Sequence, residues 1–186
     1  MTSHQCGSTV AVGMLAALVI TAFPQKALAG TDNEMIASAM AAAPKPVAQG
    51  ATIVTMDDKG ASRTLRPGTN GFTCMPDNPA TPGIDPMCLD ANAMEWAHAW
   101  MGHKQPPDKI GFIYMLAGGS DASNTDPYAK GPATGNHWIT TGAHVMVVGP
   151  AAKMMAGYPK SADPDATKPY VMWGGTPYEH VMIPMQ

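Results

Sequence analysis

Two hydrophobic periods alternate along this chain. From Thr31 onward the apolar positions Met35, Ile36, Ala39 and Met40 recur at helical spacing. Thr31-x-x-Glu34 has the form of a capping box, so a helix is predicted there, stopped by Pro44 and Pro46. Residues 47–56, VAQGATIVTM, read as extended. Asp57-Asp58-Lys59-Gly60 reads as a turn and ASRTLR as the returning strand of a hairpin. Asn70-Gly71 marks another turn before FTCM. Asp90 is the predicted N-cap of the strongest helical stretch, ANAMEWAHAWMGHK, which Gly102 and Pro106-Pro107 end.

Residues 110–117, IGFIYMLA, form an unbroken apolar run, which predicts a central strand buried on both faces. A polar segment follows over 118–135, long for a loop inside a compact domain. HWITTGAHVMVV contains one strand or a hairpin. Pro150 opens a short helix over AAKMMA that Gly157 closes. YVMW and EHVMIPM are the last two strands, joined by Gly174-Gly175-Thr176-Pro177. Helices and strands do not alternate regularly. The predicted class is therefore α+β, with a mainly antiparallel sheet and two or three helices. A short echo links His144-Val145-Met146-Val147 to His180-Val181-Met182-Ile183, each following a tryptophan, Trp138 or Trp173.

The N-terminus changes the picture of where this domain works. VAVGMLAALVITAF, residues 10–23, is too short to span a bilayer as a helix, and Ala27-Leu28-Ala29 has the small-x-small form of a signal-peptidase site. Residues 1–29 are expected to be a signal peptide and 30–186 a single domain, periplasmic or secreted. The opening MTSHQCGST lacks Lys and Arg, which also leaves a buried helix or an uncleaved anchor as readings. No later segment is long and apolar enough to cross a membrane. Cys6 would leave with the signal, so Cys74 and Cys88 remain as a pair that an oxidising compartment joins. The bridge would close a loop of 15 residues, and it would be worth about 3 kcal/mol by chain entropy.

Charge bears on partners. With 11 basic and 14 acidic residues, and no basic run of even three, the charge argues against nucleic acid as a partner. Methionine is the unusual residue, 16 in the whole chain. It either fills a core poor in phenylalanine or supplies thioether ligands, which select copper(I) and need no deprotonation.

On a strand, His144 shares a face with Met146, and His180 with Met182. If the strands pair, nitrogen and sulfur donors would converge from those four residues, with His137 as a spare ligand. Met94, His98 and Met101 form a weaker stripe on the 91–104 helix, where Glu95 and His98 read as a solvated pair. Asp121, Asn124 and Asp126 lack the EF-hand spacing and read as turn-formers. Trp96 and Trp100 read as core, or as an aromatic wall for a small ligand.

The leading expectation is an exported binding protein that carries or buffers a soft metal, copper first, or binds a small molecule. The alternative is a structural or adaptor domain in which His and Met only pack. A third is a hydrolase-like enzyme built on Ser120 with His137 or His144 and Asp121. Against that third reading, no Gly-x-Ser-x-Gly elbow or Walker loop is present.

Overall fold

A computed structural model describes residues 1, 30–57, 61–155 and 157–185. The expected signal peptide and most of the Asp57–Gly60 turn lie outside the described residues.

Helix α1 (Asp32–Ala41) begins as the sequence predicts. The Thr31 amide donates to Glu34 Oε2 at 2.7 Å and the Glu34 amide returns a bond to Thr31 Oγ1 at 3.4 Å, completing the capping box. Pro44 and Pro46 do not simply halt the chain. Pro46 lies in the first turn of a second helix, α2 (Lys45–Gly50), where its missing N–H costs nothing. The extended segment therefore starts at Thr52, not at Val47. The β1 strand (Thr52–Met56) pairs antiparallel with β2 (Ser62–Arg66) as the expected hairpin.

Eight strands form one sheet in the order β2-β1-β3-β4-β5-β8-β10-β9. The remaining members are β3 (Thr73–Met75), β4 (Met87–Leu89), β5 (Gly111–Met115), β8 (His144–Val148), β9 (Tyr170–Met172) and β10 (His180–Pro184). Every pairing is antiparallel except β1 with β3. The class is thus α+β, with four helices among the described residues. Cys74 and Cys88 face each other in the β3–β4 register and form the disulfide, both sulfurs sealed from solvent. A two-stranded sheet, β6 (Ala122–Ser123) with β7 (Trp138–Ile139), organises the long polar segment.

Helix α3 (Ala91–Met101) fixes which face of the sheet becomes the main core. Its N-cap, Asp90, accepts from Ala93 N at 2.8 Å with one oxygen and from Phe112 N at 3.1 Å with the other, clamping helix to strand. The close approach requires Gly111, where a Cβ would fall 2.4 Å from Ala93 N. Beneath α3 lie Leu89, Ile113 and Val148 with Trp96, each side chain stabilising the fold by about 1.5–3 kcal/mol on burial. The opposite face carries Val147, Val171 and Val181 under the short helix α4 (Ala151–Met154). A third cluster packs α1 and α2 over Ile53 and the disulfide with alanines, whose small size lets the helices approach closely. The strand at 111–115 is central but not buried on both faces. Phe112 is 44% exposed, because neither α4 nor α1 covers its position.

Candidate functional site

The register of four neighbouring strands decides what the His and Met residues do. On the α3-facing side, Met115 of β5 stands opposite His144 of β8, and His144 opposite Pro184 of β10. One rung along, Ile113 faces Met146, Met146 faces Met182, and Met182 faces Tyr170 of β9. On the next rung Gly111 faces Val148, and His180 faces Met172. His144, Met146, His180 and Met182 therefore share one face of the sheet, as the alternation predicts. They lie along a line and do not meet at one point. The two methionines are direct partners, while His144 is level with Pro184, four residues beyond His180, or about 13 Å along the strand.

Both histidines are held in one tautomer. His144 Nδ1–H donates to Gly142 O at 2.7 Å and His180 Nδ1–H donates to Tyr178 O at 3.0 Å. A carbonyl only accepts, so in each ring Nε2 keeps a free lone pair, the form that binds metals. Burial pushes the His144 imidazolium down, partly offset by the Gly142 carbonyl. Burial pulls His180 down to about 4, against the Tyr178 carbonyl and with the like charge of His144 adding to the effect. Both are neutral at pH 7.

Both rings are buried, 4% and 1% exposed, but only His144 borders a cleft. His144 lines a cleft of about 280 Å³ that opens to solvent, together with Thr141, Thr167, Tyr170, Met182 and Met185. Gly119 backs the ring. A Cβ there would fall 2.8 Å from His144 Cε1 and 2.4 Å from Thr141 Oγ1, so glycine lets this segment close over the histidine. His180 is sealed beneath the aromatic layer. Its ring lies edge-on to Trp96 at 5.4 Å and to Trp173 at 4.9 Å, and its Nε2 has no partner. Trp96 Nε1 is likewise buried without a partner.

His137 takes a different role. Its Nδ1 pairs with Asp163 Oδ1 at 2.8 Å on the surface, outside the cleft lining. Glu95 pairs with Lys109 at 2.8 Å instead of His98, and Met101 is exposed. Trp96, Trp100 and Trp173 stack together as core, which answers the aromatic-wall alternative for Trp96. Ser120 gives its hydroxyl proton to the buried Asp85 and not to a histidine, so the serine–histidine pairing is not assembled.

Three residues in or beside the cleft escaped the sequence reading, Met115 lying outside its lining. Met185 stands at the rim, 48% exposed. Met115 abuts His144 across β5–β8. Tyr170 is 1% exposed and its hydroxyl has no partner; burial raises its pKa well above the ordinary phenol range. Strand alternation puts Tyr170 and Met172 on one face, but only the β9–β10 register brings Tyr170 against Met182. Among the described residues, no three His, Cys, Asp or Glu side chains form a metal-binding group, so any metal held here would rely on thioethers. No helix of the described residues is long and apolar enough to cross a membrane. Set against known proteins, the chain matches no protein-family model, no curated protein and no solved structure, and its site is read from its own geometry.

Proposed function

We propose that this is an exported binding protein that holds a soft monovalent metal ion, copper(I) first, in the cleft over His144 and Met182. The observation that carries the reading is the His144 ring. Its tautomer is pinned by Gly142 O, its Nε2 lone pair is free, and it lines an open cleft beside a buried thioether. Such pinning of a ligand's second nitrogen is the usual support of a metal-bound imidazole. Imidazole with thioether suits copper(I) and gives little to hard cations, which prefer oxygen. Met146, the register partner of Met182, and Met185 at the rim are the further sulfur donors within this neighbourhood.

The residues support carriage or buffering and not turnover. Met185 at the rim is half-exposed, so a ligand can exchange there. His180 fits the structural alternative better, because it is wedged between Trp96 and Trp173 with no opening to solvent. His137, paired to Asp163, is assigned no metal role.

The test is an anaerobic competition for copper(I) between a chromogenic chelator and purified protein produced from the full chain. Sub-micromolar binding of one ion, lost in His144→Ala, supports the reading. Binding weaker than micromolar, or binding indifferent to His144→Ala, removes it.

A further inference from the structure

One wall of the cleft does not belong to the sheet. Ala166 and Thr167 form it, from the segment between α4 and β9. The fastening of that segment changes along its length. Residues 159–163 are bolted from several sides. Val171 N donates to Pro159 O at 2.9 Å, and Lys160 Nζ donates to the buried Glu179 at 3.0 Å. The buried Asn124 amide donates to Ser161 O at 2.9 Å and to Ala162 O at 3.0 Å. The outermost bolt is His137, whose Nδ1–H donates to Asp163 Oδ1 at 2.8 Å.

Beyond Asp163 the chain is tied to itself. Asp165 Oδ1 accepts from Thr167 N at 3.1 Å and from Thr167 Oγ1 at 2.6 Å. Asp165 O accepts from Lys168 N at 3.1 Å, and the two side chains pair at 2.7 Å. Among the described residues, no hydrogen bond joins 164–168 to another element. Pro164 and Pro169 bracket the turn and stiffen its two ends. Its seat on the main core is the methyl group of Ala166. A turn that carries its own bonds can swing as a unit without breaking any of them.

His137 is shaped for its reach. Its φ is +48°, a conformation that costs a residue with a side chain, and Asn124 N holds its carbonyl at 2.9 Å. Asn124 is thus the inner bolt and also sets where the outer one starts. We infer that the Asp165–Lys168 turn is a flap over the cleft, and that His137, through Asp163, is the positioning residue that holds it shut. The flap rests on the cleft geometry alone. Its bearing on metal exchange rests on the metal reading above, where it sets the rate while His144 and Met182 set the affinity. The His137–Asp163 pair is solvated, with side chains 33% and 78% exposed, so it biases the flap without locking it.

Diethyl pyrocarbonate, which acylates a free imidazole nitrogen, probes the flap without any metal. Labelling of His144 is followed by peptide mass spectrometry in wild type, His137→Ala, Asp163→Ala and the double variant. Asp163 is an exposed side chain, so its removal should leave the fold intact. Each variant is expected to label His144 about two- to five-fold faster, the fold-change that an exposed ion pair carries. The double variant should be no faster than either single one. His180, under the tryptophans, should keep its slow rate. Arg63→Ala, which breaks a comparably exposed pair on the edge strand β2, should change neither. Anaerobic stopped-flow transfer of copper(I) is the second measurement. Loading and release should quicken by one common factor in Asp163→Ala, with the equilibrium affinity unchanged. An unchanged labelling rate at His144, an equal rise at His180, or copper(I) rates that stay fixed while the affinity falls overturns the flap. Absence of copper binding in wild type removes the metal site itself, and the labelling rates still uphold or overturn the flap.

Discussion

His144 and His180 repeat one local device. Each donates its Nδ1–H to the carbonyl two residues earlier, Gly142 O at 2.7 Å and Tyr178 O at 3.0 Å. The short His-Val-Met echo in the sequence therefore has a structural counterpart. Both rings are set in the same tautomer on the same sheet face, with the Met146–Met182 pair between them. What differs is the covering. One ring meets a cleft, the other an aromatic lid of Trp96 and Trp173.

That difference orders the metal-binding variants. His144→Ala and Met182→Leu should each weaken copper(I) binding by at least ~10-fold, since even supporting residues of metal sites carry that much. His137→Ala should leave it unchanged, because that ring is engaged with Asp163 at the surface. Chelator competition reads all three. Equal losses across the three variants would point to nonspecific capture by surface imidazoles.

His180 should make the fold sensitive to mild acid. Its folded pKa of about 4 lies below the unfolded value of about 6.5. The unfolded chain therefore binds the proton first. Stability from this group is complete above pH ~6.5, declines as the pH falls towards 4, and levels off below it. The whole decline is worth about 3 kcal/mol. Urea midpoints at pH 7 and 4.5 should fall further for wild type than for His180→Phe. The same pH slope in both would refute the assignment, whatever the variant's absolute stability.

The Cys74–Cys88 bridge should contribute about 3 kcal/mol through the loop of 15 residues that it closes. Both sulfurs are inaccessible in the native state. Two outcomes are expected. The Cys74→Ala, Cys88→Ala double variant should lower the denaturation midpoint by an amount of that size. Wild type should resist a thiol reductant until denaturant exposes the bridge. Rapid reduction of the native protein would contradict the burial.

Gly111 should be the residue on which α3 docking depends. Gly111→Ala places a methyl 2.4 Å from Ala93 N and 2.7 Å from its Cα, both backbone atoms that cannot rotate away. The overpacking should cost about 1–3 kcal/mol and shift the tryptophan emission, since Trp96 rides on the same helix. Gly131→Ala, with nothing near its Cβ position, is the control and should be neutral. A silent Gly111→Ala would mean that the helix sits further from β5.

The sequence was most informative where a signal is local. Thr31 with Glu34 named one helix start and Asp90 another, because a cap is satisfied within one turn. The β1–β2 hairpin and the final strands followed from alternation. Residues 45–50 misled, since a proline that ends one helix can equally begin the next. The run at 110–117 misled as well. An apolar sequence reports that a face can be buried, but whether Phe112 is covered depends on where α1 and α4 land.

The amino-acid order alone thus determined the class of elements, the cysteine pair, and the sharing of one strand face by His144 with Met146 and by His180 with Met182. Tertiary structure alone decided the antiparallel register. That register sets Met146 against Met182, brings Tyr170 beside Met182, and leaves the buried His144 on a cleft wall while His180 lies under the tryptophans. The physical reason is that facing is a two-residue property of a single strand. Proximity between strands and access to solvent arise only when distant segments pair and a helix settles over them.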